Sequence, residues 1–260
     1  MTKSVILWGS RYIGKTSLLA TSFYSAEAQK LSNTFVDIPN SKLSSLASYW
    51  HALRQGGPVP ATSDKREFEL SMHPPGNFTI DVTAQSPSEQ SIEGDRLILA
   101  DMAGGHLDEL EDTRVMEKAS EAIAQSSGVV FFLPWFRHPR FNEYADLIER
   151  TFAHTDLHEK KICVVFTKCE QFLQLEQFND LDTGWWESSM PSASTNALSD
   201  LLTGCGDAVW PTTVFGFLES DTPRALLSEF GKLAPVNPRP LNVTKPFLWM
   251  FSELGYGSTS

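Results

Sequence analysis

Near the N-terminus, Gly9-Ser10-Arg11-Tyr12-Ile13-Gly14-Lys15-Thr16 has the spacing G-x-x-x-x-G-K-[ST]. Two glycines five positions apart let the backbone curl tightly, so that several N–H groups point inward at one anion. A lysine directly after the second glycine can reach the outer phosphates of a nucleotide, and the hydroxyl of the next residue can ligate Mg²⁺. A motif of this kind can match by chance. Its context here is the one the chemistry requires, because the apolar run Val5-Ile6-Leu7-Trp8 precedes it and a helical stretch, about 15–29, follows. The helix presents its N-terminus to the same anion. Gly9, Ser10, Arg11, Tyr12, Ile13, Gly14, Lys15, Thr16 and Ser17 are therefore the candidate nucleotide-binding residues, with Thr16 also a candidate metal ligand.

Two further clusters sit at the ends of apolar strands. Asp101 closes Leu97-Ile98-Leu99-Ala100 and is followed by Met102-Ala103-Gly104. An acidic residue at that point can hold Mg²⁺ through water, and the Gly104 N–H can meet a terminal phosphate. The plain alternative is a strand-terminal Asp that starts a turn. Thr167-Lys168-Cys169-Glu170 follows another apolar strand. It has the form of an [NT]-K-x-acid base-reading motif, in which the lysine lies along the base and the acid accepts hydrogen bonds from guanine. Glu stands where Asp is usual, which keeps the acceptor but moves it by one methylene. The plain alternative is a strand end with solvated charges.

Taken in order, these motifs resemble the Ras-like, translation-factor-type (TRAFAC class) GTPases over roughly residues 4–254. The resemblance implies a three-layer α/β P-loop NTPase fold of the Ras-like G-domain kind, with a mainly parallel sheet. It also implies GTP or GDP as ligand, Mg²⁺ as cofactor, and a switch function. A narrower resemblance is to the bacterial double-GTPase-like group of multi-gene conflict systems. It rests on Trp50, Leu53, Gly57 and Pro60-Ala61-Thr62, and on Leu241-Asn242-Val243 with Pro246-Phe247-Leu248-Trp249. It implies Thr62 as the switch threonine closing on Mg²⁺ and the γ-phosphate, with Thr34 and Ser63 as alternatives. It also implies a protein effector or activator encoded in the same gene cluster.

Two departures bear on hydrolysis. A residue must orient the attacking water, and the position after Asp101-x-x-Gly104 is Gly105, with His106 one place on. Either His106 takes that role or intrinsic hydrolysis is slow. Lys15, Thr62, Gly104 and His106 form the candidate catalytic set. Arg11 stands where a partner's arginine finger would enter, which makes a finger supplied in trans less expected. A P-loop ATPase and a scaffold that binds nucleotide without hydrolysing it remain alternatives.

The elements that must position these residues read as one domain spanning 1–260. An extended switch and hairpin region covers 31–95, and an inserted loop rich in acids and tryptophan covers 171–192. A helix is expected at 42–53, and a hairpin of 67–72 with 78–82. Helices are expected at 110–124, 141–152, 195–202 and 243–254. Strands are expected at 128–133, 161–166 and 213–217. Apolar runs without strict alternation suit strands covered on both faces, and their alternation with helices means a parallel sheet. Phe131, Phe132, Phe166 and Phe215 read as core.

The chain has 260 residues and a formal charge of −11, which argues against nucleic acid and anionic membrane as partners. His138 and Arg140 form its one locally basic stretch, read as a solvated helix start. Cys163, Cys169 and Cys205 have no metal-ligand spacing and read as reduced thiols of a cytoplasmic protein. No leader, membrane span or lipidation signal is expected.

Overall fold

The structure, a computed structural model, describes residues 2–10, 12–24, 35–37, 40–56, 66–72, 95–101, 113–155, 157, 159–179, 181, 184–191, 196–206, 208–217 and 238–256. Within them strands and helices alternate. They run β1 (Thr2–Trp8), α1 (Lys15–Tyr24), β2 (Phe35–Asp37), α2 (Asn40–Arg54), β3 (Arg66–Met72), β4 (Asp95–Asp101) and α3 (Thr113–Gln125). Then come β5 (Gly128–Pro134), α4 (Phe141–His154), β6 (Lys161–Thr167), α5 (Asn196–Cys205), β7 (Val209–Pro211) and α6 (Lys245–Glu253).

The strands form one sheet in the order β2-β3-β4-β1-β5-β6-β7. The five strands from β4 to β7 are parallel, and β2 and β3 are antiparallel additions at one edge. All seven residues of β5 are buried, which explains its unbroken apolar sequence: a central strand covered on both faces has no polar side to show. α4 carries its apolar residues on one stripe, with Phe141, Tyr144, Ala145 and Ile148 buried at the helical spacing.

Helices cover both faces. α1 packs on α2. It meets α6 through Phe23 and Phe247, whose ring centroids lie 6.4 Å apart, and the Ser22 hydroxyl donates to Val243 O, just ahead of α6, at 2.7 Å. α3, α4 and α5 pack in series. Right-handed crossovers that run in opposite directions from β1 and from β5 put these two sets on opposite faces. The arrangement is α/β with a mostly parallel mixed sheet, and it fits three layers. The chain leaves β1 toward β4 and leaves β5 toward β6, so their loops part at the carboxyl ends, where an open α/β sheet binds its ligand. Among the described residues no helix is long and apolar enough to cross a membrane.

Some expectations need correction. The last strand is Val209–Pro211, not 213–217. Pro211 reads in the sequence as a breaker, but β7 is an edge strand, where a missing N–H costs no ladder bond. Residues 213–217 instead hold a bend, with an antiparallel bridge from Thr213 to Leu241. Phe215 is not core: it is half-buried and lines a cavity, whereas Phe131, Phe132 and Phe166 are fully buried. The segment 78–82 lies outside the described residues, and β3 pairs instead with β2 and β4. The described part of the first helix ends at Tyr24.

Candidate nucleotide site

The loop after β1 is shaped by close backbone approach. At Gly9, φ is +154° and a Cβ would lie 3.0 Å from both the Cβ and the carbonyl oxygen of Phe132. Only glycine fits there without moving β5. Tyr12 adopts a left-handed φ of 61° and is exposed. The first turn of α1 then closes, with Leu18 N–H on Gly14 O at 2.8 Å, so the helix presents its N-terminus to the loop.

Lys15 is buried. Its ammonium donates to Gly9 O and, at 3.0 Å, to Ser10 O, so it spans the loop from within. The Ser10 hydroxyl is buried with no hydrogen-bond partner among the described residues. Thr16 donates to Asp101 Oδ2 at 2.7 Å. Sheet register explains that meeting: β4 lies beside β1 with Leu7 opposite Asp101, so both strand ends reach the same level. Asp101 is fully buried. A hydroxyl and a carboxylate oxygen side by side are hard donors and fit Mg²⁺, which takes few protein ligands and completes its shell with water and phosphate.

The second half of the site is built by β6 and β7. Thr167 is buried, and its hydroxyl donates to Ile13 O at 2.7 Å. Lys168, in a left-handed conformation with φ 55°, donates to Tyr12 O at 2.9 Å. These two bonds tie the strand end to the phosphate-type loop. Partial desolvation lowers the Lys168 pKa, with Glu170 opposing the shift.

Behind them is a cavity of about 270 Å³. Its walls include Ile13 and Gly14, Ser17 and Leu18 of α1, Lys168 and Glu170, and the segment that carries Thr212, Val214 and Phe215. Glu170 is buried and its Oε2 has no hydrogen-bond partner among the described residues. Burial pushes its carboxyl pKa up, while a backbone N–H, the Thr213 hydroxyl and Lys168 pull the other way. Past the end of β5, Trp135 stacks on Trp185 at 5.4 Å and meets Phe166 edge-on at 5.1 Å. Trp185 also donates from its indole to Val209 O at 3.0 Å.

The structure thus brings together Gly9, Ser10, Tyr12, Ile13, Gly14, Lys15, Thr16, Ser17, Asp101, Thr167, Lys168 and Glu170. Arg11, Thr62, Gly104 and His106, with the alternatives Thr34 and Ser63, lie outside the described residues. The contribution of residues 212–215 was missed in the sequence. A signal existed: β7 follows β6 by a helical crossover, so its end must border the same space.

The remaining expectations outside the site fare simply. The three cysteines are free thiols, and burial raises the Cys205 pKa to about 12. Arg140 pairs with Glu143 at 2.7 Å on the exposed start of α4. The chain matches no protein-family model and no curated protein, so the functional reading rests on the site's own geometry.

Proposed function

We propose that this chain is a Mg²⁺-dependent GTP-binding and hydrolysing switch of the P-loop class, working in the cytoplasm and signalling to a protein partner. The observation that carries the base identity is the buried Glu170, with an unpartnered Oε2, in a cavity beside the phosphate-type loop. Guanine presents N1–H and N2–H₂ side by side, and an ionised carboxylate can accept both. Adenine presents a bare N1 there, which would set lone pair against lone pair.

In this reading the ammonium of Lys15 exchanges the Gly9 and Ser10 carbonyls for phosphate oxygens. The N-terminus of α1 stabilises the same charge. Thr16 and Asp101 would hold Mg²⁺; when bound, the ion neutralises charge on the β- and γ-phosphates. Thr167 keeps the base half and the phosphate half in register. Thr62, Gly104 and His106 are proposed to close on the γ-phosphate, with His106 orienting water, and these segments would order with the triphosphate and relax after hydrolysis.

The test is equilibrium competition of GTP and ATP against a fluorescent guanine nucleotide with Mg²⁺, in the wild type and in Glu170→Ala. The expected result is a GTP preference that Glu170→Ala abolishes. Equal affinities in the wild type would remove the guanine assignment and leave a P-loop ATPase.

A further inference from the structure

Two phenylalanines on either side of one glycine have opposite surroundings. Phe217 is buried and meets Phe178 edge-on, with ring centroids 5.5 Å apart. Phe215 is half-buried and lines the cavity, and it meets no other ring among the described residues. Nearby aromatics pack on one another: Trp135 and Phe166 each contact both Phe136 and Trp185. Phenylalanine is among the residues most often fully buried, so a ring left at a cavity wall is the exception that calls for a ligand.

The backbone of Phe215 is fixed without use of its ring. Thr213 and Leu241 exchange two N–H to O bonds, at 3.3 and 3.0 Å, and Phe215 O accepts from Arg239 N–H at 3.0 Å. At Gly216, φ is +73° and a Cβ would fall 1.9 Å from Arg239 O, so only glycine can make the turn that follows. The Gly216 N–H donates to the Thr213 hydroxyl at 2.9 Å, and that hydroxyl in turn donates to Glu170. One bend therefore carries Phe215 and holds the carboxylate. Ile13, Leu18 and Val214 add apolar surface to the same cavity. Phosphate binding and recognition of the base edge call on polar groups, so this apolar surface answers to something else. The flat face of a heterocyclic base fits it, and aromatic rings stack on such faces whatever the base.

We infer that Phe215 is the base-stacking residue of the cavity: its ring packs on the face of the nucleotide's base while Glu170 takes the edge. This rests on the reading above that a nucleotide places its base here. Stacking strengthens the binding of any base, and edge recognition decides which one. Loss of the ring should therefore weaken GTP and ATP by the same factor and leave a base-free triphosphate alone.

The variant Phe215→Ala removes the ring, and Phe215→Tyr keeps it. Each is titrated with GTP, ATP and ribose 5-triphosphate in Mg²⁺, beside the wild type and Glu170→Ala. The expected result is about tenfold weaker binding of both GTP and ATP in Phe215→Ala, as for loss of one stacking side chain. Ribose 5-triphosphate should bind as before, and Phe215→Tyr should match the wild type. Glu170→Ala should change the GTP-over-ATP ratio, and Phe215→Ala should not. A wild type that holds ribose 5-triphosphate as tightly as GTP and ATP would sink the base half of the site, and stacking with it. Equal GTP and ATP affinities above that of ribose 5-triphosphate would remove the guanine assignment alone, and the tenfold loss in Phe215→Ala would still establish the stack. A Phe215→Ala protein that keeps both nucleotides, loses only GTP, or loses ribose 5-triphosphate equally would overturn the stacking role alone. If Phe215→Ala does not fold, the ring resonances of Phe215 in the wild type decide: they should shift with GTP and ATP and stay still with ribose 5-triphosphate. Silence toward all three, or an equal response to all three, would overturn the inference.

Discussion

The two halves of the site are built in different ways. The proposed phosphate half is contiguous in the chain: one loop and one helix start hold Lys15 and Thr16, and a neighbouring strand adds Asp101. Its main cation is already engaged with carbonyls of its own loop, so ligand binding there is an exchange of partners. The proposed base half is assembled from the start of α1, the stretch after β6 and residues 212–215, and lines a standing cavity. Ser10 Oγ in the first half and Glu170 Oε2 in the second are buried with no hydrogen-bond partner among the described residues. The comparison teaches that affinity and choice are separable here: the first half should set how tightly a triphosphate is held, and the second which base it carries.

The most damaging change should be Lys15→Ala. It removes the ammonium from the phosphates, and roughly 100-fold of affinity should be lost for GTP and ATP alike, as for two charged hydrogen bonds. Isothermal titration of both nucleotides checks it, and a loss confined to GTP would break the division between the halves.

Next in size is Glu170→Gln, which should lower the GTP-over-ATP ratio by about tenfold or more. The same change should stabilise the unliganded protein at pH 7. The folded pKa of Glu170 is raised, so the stability that goes with the neutral carboxyl is complete below the ordinary value of 4.5 and is lost as pH rises through the folded value. Gln stays neutral throughout. Its melting temperature should exceed the wild type's at pH 7 by roughly 2–4 °C per kcal/mol, and the gap should shrink toward pH 4.5. Calorimetry across that range reads the effect directly.

The same titration should sharpen the comparison from the ligand side. As pH falls through the raised Glu170 value, the carboxylate gains a proton and loses an acceptor. GTP preference should therefore erode at a higher pH than an ordinary glutamate would dictate, while pyrophosphate affinity follows a different profile. Coincident profiles would mean that the halves are not independent.

The smallest expected effect is Thr16→Ala. Asp101 remains as the second proposed metal-binding group, so Mg²⁺ should still strengthen GTP binding, with a midpoint about tenfold higher in Mg²⁺ as one proposed oxygen ligand is lost. A magnesium titration with bound fluorescent nucleotide measures it.

How much of this was legible in the sequence follows the same division. The Gly9–Thr16 motif is legible because its residues are neighbours in the chain. Glu170 was visible as an acid after a strand, but its burial was not, since that depends on the fold of residues 212–216 and 238–243. Phe215 looked like core because apolar content alone cannot separate a cavity wall from a packed interior. β2 was overlooked: Phe35–Asp37 is three residues long, too short for any periodicity to register.

The most direct measurement is the affinity of the wild type for GTP, ITP and ATP in Mg²⁺ at pH 7.5. Inosine keeps N1–H and lacks the 2-amino group, so the series removes the two proposed donors to Glu170 one after the other. The expected result is a stepwise fall, about tenfold from GTP to ITP and further to ATP. Equal affinities across the three would contradict a base half that reads guanine through Glu170.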